Sequence, residues 1–203
     1  FLLSSCASRK NLVYFYKDDK LKTTDSTATY IPTIKPDDLL SIIISSIELD
    51  ASKPFNQPVY TYTYDGKTVG GTPTLQGYLV DADGMIEFPV IGKIKLGGLT
   101  KPEAIALLKQ KLQDYISTPI VNLRIINYKV TILGDVKNPG SYTIPNERVS
   151  ILEAIGLSGD LNITAIRKNI LVIREENGIK HNYRVDITSG TILHSPVYYL
   201  RQN

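Results

Sequence analysis

The chain has 203 residues, of which 42% are hydrophobic and 21% are charged, and its formal net charge is +3. This length and composition are typical of one large or two small globular domains that bury a core. The basic residues are scattered and do not cluster with aromatic side chains, so the sequence predicts no nucleic-acid-binding face. Since no run of 18 apolar residues occurs, we also expect no membrane-spanning helix.

The only cysteine, Cys6, follows Leu3, Ser4 and Ser5 at the end of a short apolar stretch. This pattern matches the bacterial lipobox, in which cleavage of a signal peptide leaves an acylated cysteine at the new N terminus. The first residue is Phe1 rather than methionine, so we expect the natural chain to begin earlier. The alternative is a small buried thiol in a first strand. Because the residues that follow are polar and form strands poorly, we favour lipidation of Cys6.

Three regions are predicted along the chain. Residues 1–29 are assigned to a signal-peptide remnant, the lipobox and a polar tether, because residues 7–29 are rich in Lys, Asp, Ser and Thr. A first domain is predicted over residues 30–127 and a second over residues 128–203.

The first domain is predicted to be rich in strands. A turn leads into a mostly buried strand at residues 39–47, and the prolines within residues 51–58 indicate a loop. Strict alternation with threonine then places Tyr60, Tyr62 and Tyr64 on one face of a strand. These tyrosines are candidates for a channel lumen or an interface, and core packing is the alternative.

A hairpin and a helix are predicted next. The apolar residues 77–80 and 85–88 flank a turn that ends in Asp83 and Gly84, and Asp-Gly favours tight turns. Pro89 and Gly92 then interrupt the chain. A capping box of Thr and Glu at positions 100 and 103 predicts the start of an amphipathic helix.

The second domain is predicted to hold two hairpins around a short helix. Pro139 and Gly140 mark the turn of the first hairpin, and Ser and Glu at positions 150 and 153 form a second capping box. Asn177 and Gly178 are the strongest short hairpin dipeptide. We therefore predict an α+β fold of two small mixed domains: a strand-rich domain with one helix, and a β-grasp-like domain.

No coherent catalytic or metal-binding pattern is found. His181 and His194 have no second histidine or cysteine at ligand spacing, so we predict no metal site and no cofactor. The Gly-Leu-Ser-Gly stretch at 156–159 lacks the spacing of a nucleophile elbow and is typical of a helix end. A pair of carboxylates could still converge in the fold, so the sequence leaves an enzymatic role open.

Several stretches in order resemble the outer-membrane polysaccharide export family of capsule and exopolysaccharide lipoproteins. The resemblance covers about residues 30–200 and rests on four main motifs: Ile34-Lys35-Pro36-Asp37-Asp38-Leu39-Leu40-Ser41-Ile42; Val80-Asp81-Ala82-Asp83-Gly84-Met85-Ile86-Glu87-Phe88-Pro89-Val90-Ile91-Gly92; Gly98-Leu99-Thr100-Lys101-Pro102-Glu103-Ala104; and Gly134-Asp135-Val136-Lys137-Asn138-Pro139-Gly140-Ser141-Tyr142.

This resemblance implies a polysaccharide export domain followed by a soluble-ligand-binding β-grasp domain. It also implies a non-enzymatic outer-membrane lipoprotein with its domains in the periplasm, a homo-oligomeric ring, a polysaccharide substrate and an inner-membrane co-polymerase with a tyrosine-kinase part or partner. Asp37 departs from the glycine that is common in the family. Family members cross the membrane with a C-terminal amphipathic helix, which we expect to lie beyond Asn203.

Two other functions stay open at this point. The chain could be a periplasmic module that binds a sugar or another soluble ligand without forming a pore. It could also be a polysaccharide-modifying enzyme. The absence of a catalytic pattern and the ordered motifs favour the export channel over both.

Overall fold

The structure, a computed structural model, describes residues 12–16, 31–56, 58–64, 69–75, 77–146, 148–176 and 178–202. Of residues 59–64, 69–75 and 176, the backbone alone is described. The chain divides into two compact units, which we call the first unit (Ile31–Asn127) and the second unit (Tyr128–Asn203 together with Phe1–Tyr30).

The first unit contains seven strands and two helices among its described residues. In chain order they are β1 (Leu39–Ser45), α1 (Leu49–Ser52), β2 (Pro58–Tyr64), β3 (Val69–Leu75), β4 (Gly77–Leu79), β5 (Met85–Phe88), β6 (Gly92–Lys95), α2 (Lys101–Leu112) and β7 (Ile120–Ile125). β1 is the centre of a three-stranded antiparallel sheet in the order β4-β1-β7, while β2–β3 and β5–β6 form separate antiparallel pairs.

The core of the first unit lies between this sheet and α2. Alternate residues of β1, namely Leu40, Ile42 and Ile44, point into the core and are almost fully buried. They pair with β7 in the register Ile42↔Leu123, so both strands bury the same face. Removing these side chains from water supplies the main favourable free energy of the unit.

Helix α2 begins as predicted. The Glu103 carboxylate accepts the backbone N–H of Thr100 at 2.8 Å, which closes the capping box. Ala104, Leu108 and Leu112 recur every four residues and are fully buried. Just beyond the helix, Ile116 is also buried, whereas Tyr115 is 53% exposed.

Three local predictions for the first unit were wrong. Residues 77–79 pair with β1 instead of forming a hairpin with β5, and β5 pairs with β6. Gly92 therefore starts a strand and does not merely interrupt the chain. The predicted loop at 51–58 contains the end of α1 and a 3₁₀ turn at Lys53–Phe55, because Phe55 is buried in the core and draws the segment inward.

The second unit has six strands and one α-helix in its described part. They are β8 (Lys129–Ile132), β9 (Gly140–Thr143), β10 (Val149–Ser150), α3 (Ile151–Leu157), β11 (Ile170–Glu176), β12 (Ile179–Val185) and β13 (Tyr199–Leu200). The strands form three antiparallel pairs, β8–β9, β10–β13 and β11–β12. The two units together confirm the predicted α+β class with two small mixed domains, although the second unit holds strand pairs and not one continuous sheet.

Helix α3 also begins at its predicted capping box. The Ser150 hydroxyl accepts the Glu153 N–H at 3.2 Å, and the Glu153 carboxylate accepts the Ser150 N–H at 2.7 Å. These two bonds satisfy backbone donors that a helix start otherwise leaves without partners. The buried side chains of Ile151 and Ile155 pack in one core with Ile187, Ile192 and Val197.

Candidate functional site

The turn before β1 contains Asp37, which stands where the resemblance leads us to expect glycine. Asp37 has φ +68, in the left-handed region that glycine adopts most easily. Its N–H donates to the Val80 carbonyl at 2.9 Å, and its own carbonyl accepts from Asn127 at 2.7 Å. The next residue, Asp38, is buried and accepts the Lys35 N–H at 2.9 Å, and burial raises the pKa of its carboxyl group.

Asp83 and Gly84 lie in the predicted tight turn after β4. Gly84 has φ +77, and its carbonyl accepts N–H donors from both Leu96 and Gly97. The backbones touch so closely that a Cβ atom on Gly97 would lie 2.5 Å from the Gly84 Cα, well inside van der Waals contact. The turn is therefore hydrogen-bonded to the chain that follows β6. Both positions need glycine because a side chain would prevent this close backbone contact.

Pro89 and Gly92 border the turn of the β5–β6 hairpin. Phe88 pairs with Gly92, and Gly92 has φ +82. Val90 between them also adopts a left-handed conformation, with φ +68. A β-branched residue rarely does so, which makes Val90 the most strained backbone position of this turn.

Pro139 and Gly140 lie at the end of the predicted turn, and the connection that contains it is longer than the turn itself. Gly140 pairs with Ile132, so residues 133–139 all belong to the connection. The loop is held by a backbone contact of its own, since the Asn138 N–H donates to the Ser158 carbonyl at 2.8 Å. Asp135 in this loop accepts hydrogen bonds from Thr164 and Asn162, which hold the pKa of its carboxyl group below the usual value.

Gly178 lies in the two-residue connection between β11 and β12. Glu176 pairs with Ile179 across this connection, and Gly178 has φ +75, as the hairpin prediction requires. Asn177 and Cys6 lie outside the described residues. Tyr60, Tyr62 and Tyr64 lie on β2, as predicted, but their side chains are outside the described part.

Residues 12–16, inside the predicted tether, pack on the second unit. The Phe15 N–H donates to the Ile187 carbonyl at 3.3 Å, and the Tyr14 hydroxyl donates to the Asp160 carboxylate. The Arg167 guanidinium lies over the Tyr14 ring, 5.8 Å from its centre. Burial and the hydrogen bond to Asp160 raise the pKa of Tyr14 to about 12. The Leu-Val-Tyr-Phe-Tyr run was the only sign in the sequence of this contact.

The second unit contains an apolar cleft of about 380 Å³. Its sides are β8 and β11, and its floor is α3 through Ile151, Ala154 and Ile155. Val136 and Leu161 contribute further apolar surface. Sequence reasoning missed this cleft, because it depends on two hairpins that lie side by side without pairing.

One end of the cleft carries two arginines. Arg174 is 5% exposed, and its guanidinium donates to the Tyr199 carbonyl at 2.9 Å and lies 5.9 Å from the Tyr183 ring. Leu200 and Arg201 line the cleft beside it. Burial of a guanidinium is costly without such partners, so the Arg174 contacts fix the end of β13 against β11.

Neither histidine is among the residues that line this cleft. His181 lies on β12 and His194 in a 3₁₀ turn at Gly190–His194. Across the described ranges there is no group of three or more His, Cys, Asp or Glu side chains that could hold a metal ion. None of the helices described reaches the length and hydrophobicity that a bilayer crossing requires.

The fold consists of two small α+β units in tandem, each with its own hydrophobic core, and a fold alone does not assign a function. Comparison with known families supplies the class of protein. Residues 26–126 match the family model described as polysaccharide biosynthesis/export protein, and residues 128–195 match the model of the SLBB domain. The chain belongs to the polysaccharide export family, which is not an enzyme family.

Two curated relatives are similar to the chain over 114 residues. One is the EPS I polysaccharide export outer membrane protein EpsA of Ralstonia nicotianae, at 33% identity. The other is the protein of the same name in Ralstonia solanacearum, at 32% identity. Each match covers 53% of this chain and 30% of the relative, so the chain matches less than a third of each relative's length.

Proposed function

We propose that the chain is the periplasmic part of an outer-membrane polysaccharide export channel that passes capsular polysaccharide or exopolysaccharide outward. The observation that carries this proposal is the order of the two family matches, an export domain at 26–126 directly followed by an SLBB domain at 128–195. The names of the curated relatives, which are export proteins of the outer membrane, support the same conclusion.

A ring of subunits is the assembly that we propose for this conduit. A ring needs two different contact patches on each subunit. The first unit offers one in the outer sheet face, by which we mean the side of the β4-β1-β7 sheet that bears Leu79, Ile120 and the half-buried Leu39 and Ile43. Leu79 and Ile120 are 60% and 61% exposed and lie opposite Leu39 and Ser45, at the two ends of this face. Exposed apolar side chains on one face make it a candidate interaction surface.

The ring can be tested on the full-length lipidated protein by native mass spectrometry and electron microscopy. We expect closed rings, and we expect the substitutions Leu79→Asp and Ile120→Asp to release monomers without unfolding the protein. Ile163→Asp is the matched control, since Ile163 is 69% exposed but lies in the second unit. A strict monomer before any substitution would contradict the ring.

Attachment to the outer membrane is proposed to occur through acylation of Cys6. An acyl anchor keeps the two units in the periplasm without a spanning helix. We propose an inner-membrane co-polymerase with a tyrosine-kinase part or partner as the protein that delivers the polymer. Metabolic labelling with an alkyne fatty acid tests the anchor: Cys6→Ala should remove both the label and the membrane fractionation, and unchanged labelling would disprove acylation at this residue.

The apolar cleft favours one alternative function, a periplasmic module that binds a soluble ligand without forming a pore. A cleft of about 380 Å³ falls in the size range of small-molecule sites. Titration calorimetry with oligosaccharide fragments of the exported polymer distinguishes the two functions. Saturable binding that Ala154→Phe abolishes, by a protein that stays monomeric, would favour the binding module.

A further inference from the structure

The apolar cleft of the second unit has a charged end, which lies beside β13. Arg174 and Arg201 line the cleft there, and the Arg174 guanidinium is bonded to the main chain of β13. Lys129 lies at the same end, because the hydroxyl group of the preceding residue, Tyr128, donates to the Leu200 carbonyl at 2.8 Å. Three cationic side chains therefore lie close together at one end of the cleft.

The opposite end, which we call the apolar end, is formed by aliphatic side chains. β8 leads from Lys129 towards Leu133, and a strand rises about 3.3 Å per residue, so these two lining residues lie roughly 13 Å apart. Val136 and Leu161 also line the cleft, and their backbones are joined in an isolated antiparallel bridge. The cleft is thus elongated, with its positive charge at one end only.

The composition of the lining defines the charge of a suitable ligand. Among the described residues, no Asp or Glu side chain lines the cleft, and Thr131 is the one polar residue besides the three cations. Apolar walls keep water away and so strengthen the attraction between these cations and an anion. A ligand that fits this lining carries a negative charge at one end and is apolar along the rest of its length.

An alkyl chain fits the floor of the cleft better than a sugar does. The hydroxyl groups of a carbohydrate need polar partners along the whole site, whereas α3 contributes Ile151, Ala154 and Ile155. An alkyl chain gains about four-fold in affinity for each methylene that it buries. The cleft volume of about 380 Å³ lies near the lower end of the range for small-molecule sites, which suits one chain and not two.

We propose that the cleft binds a long-chain carboxylate, the anion of a free fatty acid. Its head group lies among Lys129, Arg174 and Arg201, and its chain runs over α3 towards Val136 and Leu161. A carboxylate accepts charge-assisted hydrogen bonds from lysine and arginine, which are stronger than bonds between neutral groups. This binding site goes beyond the proposed export function, because it assigns a small amphiphile to the second unit.

Titration calorimetry of the full chain with dodecanoate, below the concentration at which micelles form, tests the need for both the charge and the chain. We expect one equivalent to bind saturably and decanoate, which is two methylenes shorter, to bind about 15-fold more weakly. Dodecyl maltoside has the same chain on an uncharged sugar head, and it should bind about 10-fold more weakly than dodecanoate. Equal binding of the uncharged amphiphile, or no saturable binding of dodecanoate, would overturn the proposal.

A charge reversal at the charged end tests the position of the head group. Lys129 is exposed, so Lys129→Glu should leave the fold intact, weaken dodecanoate binding about 10-fold and leave the binding of dodecyl maltoside unchanged. Lys180→Glu is the matched control, because Lys180 is also exposed but lies on β12 and does not line the cleft. The same loss of affinity in both variants would show a general attraction of charge and would overturn the proposal.

Photolabelling of the wild-type chain locates the alkyl chain without any substitution. A dodecanoate analogue with a diazirine at its last carbon should label residues 133–136 or Leu161, and unlabelled dodecanoate should suppress the label. Label on any other part of the chain would overturn the proposal. Saturable binding of oligosaccharide fragments in place of dodecanoate would also overturn it and favour the binding module described above. None of these outcomes depends on ring formation, so the proposed export function can fail while this inference holds.

Discussion

The two units bury their cores in different ways. The first unit packs a three-stranded sheet against α2, and one continuous cluster of side chains extends from Ile34 to Leu123. Among the described residues of the second unit the strands form pairs, and the core opens into a cleft beside α3. A closed core and a core that opens into a cleft can therefore follow each other in one small chain.

Truncation of a core leucine should show the difference most strongly. Leu108 is fully buried in the first unit, so Leu108→Ala should lower the free energy of unfolding of that unit by about 2–5 kcal/mol. Ile151 faces the cleft, where neighbouring atoms are already missing, so Ile151→Ala in the 203-residue chain should cost roughly half as much.

Amide hydrogen exchange, followed separately for each unit at increasing denaturant concentration, measures the loss of unfolding free energy caused by each substitution. Equal losses in the 203-residue chain would show that the cleft does not weaken the second core.

The contact between two glycines gives the next largest effect. Gly97→Ala places a methyl group 2.5 Å from the Gly84 Cα and should cost about 1–3 kcal/mol of stability in the first unit. Gly140→Ala is the matched control, because a Cβ atom at that position would meet nothing within 4 Å beyond its chain neighbours, and it should change stability little. Chemical denaturation followed by circular dichroism compares them, and a neutral Gly97→Ala would disprove the contact.

Helices α2 and α3, one in each unit, both begin at a capping box, so a cap substitution should affect both units in the same way. Ser150→Ala removes the acceptor of the Glu153 N–H and should cost about 1 kcal/mol of stability in the second unit. Hydrogen bonds from the Ser150 backbone N–H and side chain lower the pKa of Glu153, so the contribution of its carboxylate is present above the unfolded-state pKa and is lost as the pH falls through the folded one. A stability difference between wild type and Glu153→Gln that does not shrink in acid would contradict this role of the carboxylate.

The docked segment at 12–16 should give the smallest effect. Tyr14→Phe removes the hydrogen bond to Asp160 and should speed amide exchange at Phe15 while leaving the core unchanged. Because the pKa of Tyr14 is raised to about 12, the contribution of this contact is complete below pH 10 and is lost as the pH rises from 10 to about 12. Ultraviolet titration of wild type against Tyr14→Phe should reveal one tyrosine that ionises late, and its absence would argue against docking.

Local features of the fold were predictable, and non-local pairings were not. Capping boxes and the Asn-Gly hairpin depend on residues that are neighbours in sequence, and all three lie where they were predicted. The partner of β4 could not be predicted, because residues 77–79 pair with β1 nearly forty positions earlier. The cleft was missed for the same reason, since it arises between two hairpins separated by α3.

Loss of the gene in the source bacterium tests the export function most directly. We predict that a deletion strain stops releasing polysaccharide and retains the polymer in the periplasm, and that the full-length gene restores release. Quantification of polymer outside the cell and in the periplasm, with size analysis of both, gives the answer. Normal release from the deletion strain, or release of polymer with altered length or composition, would contradict the account.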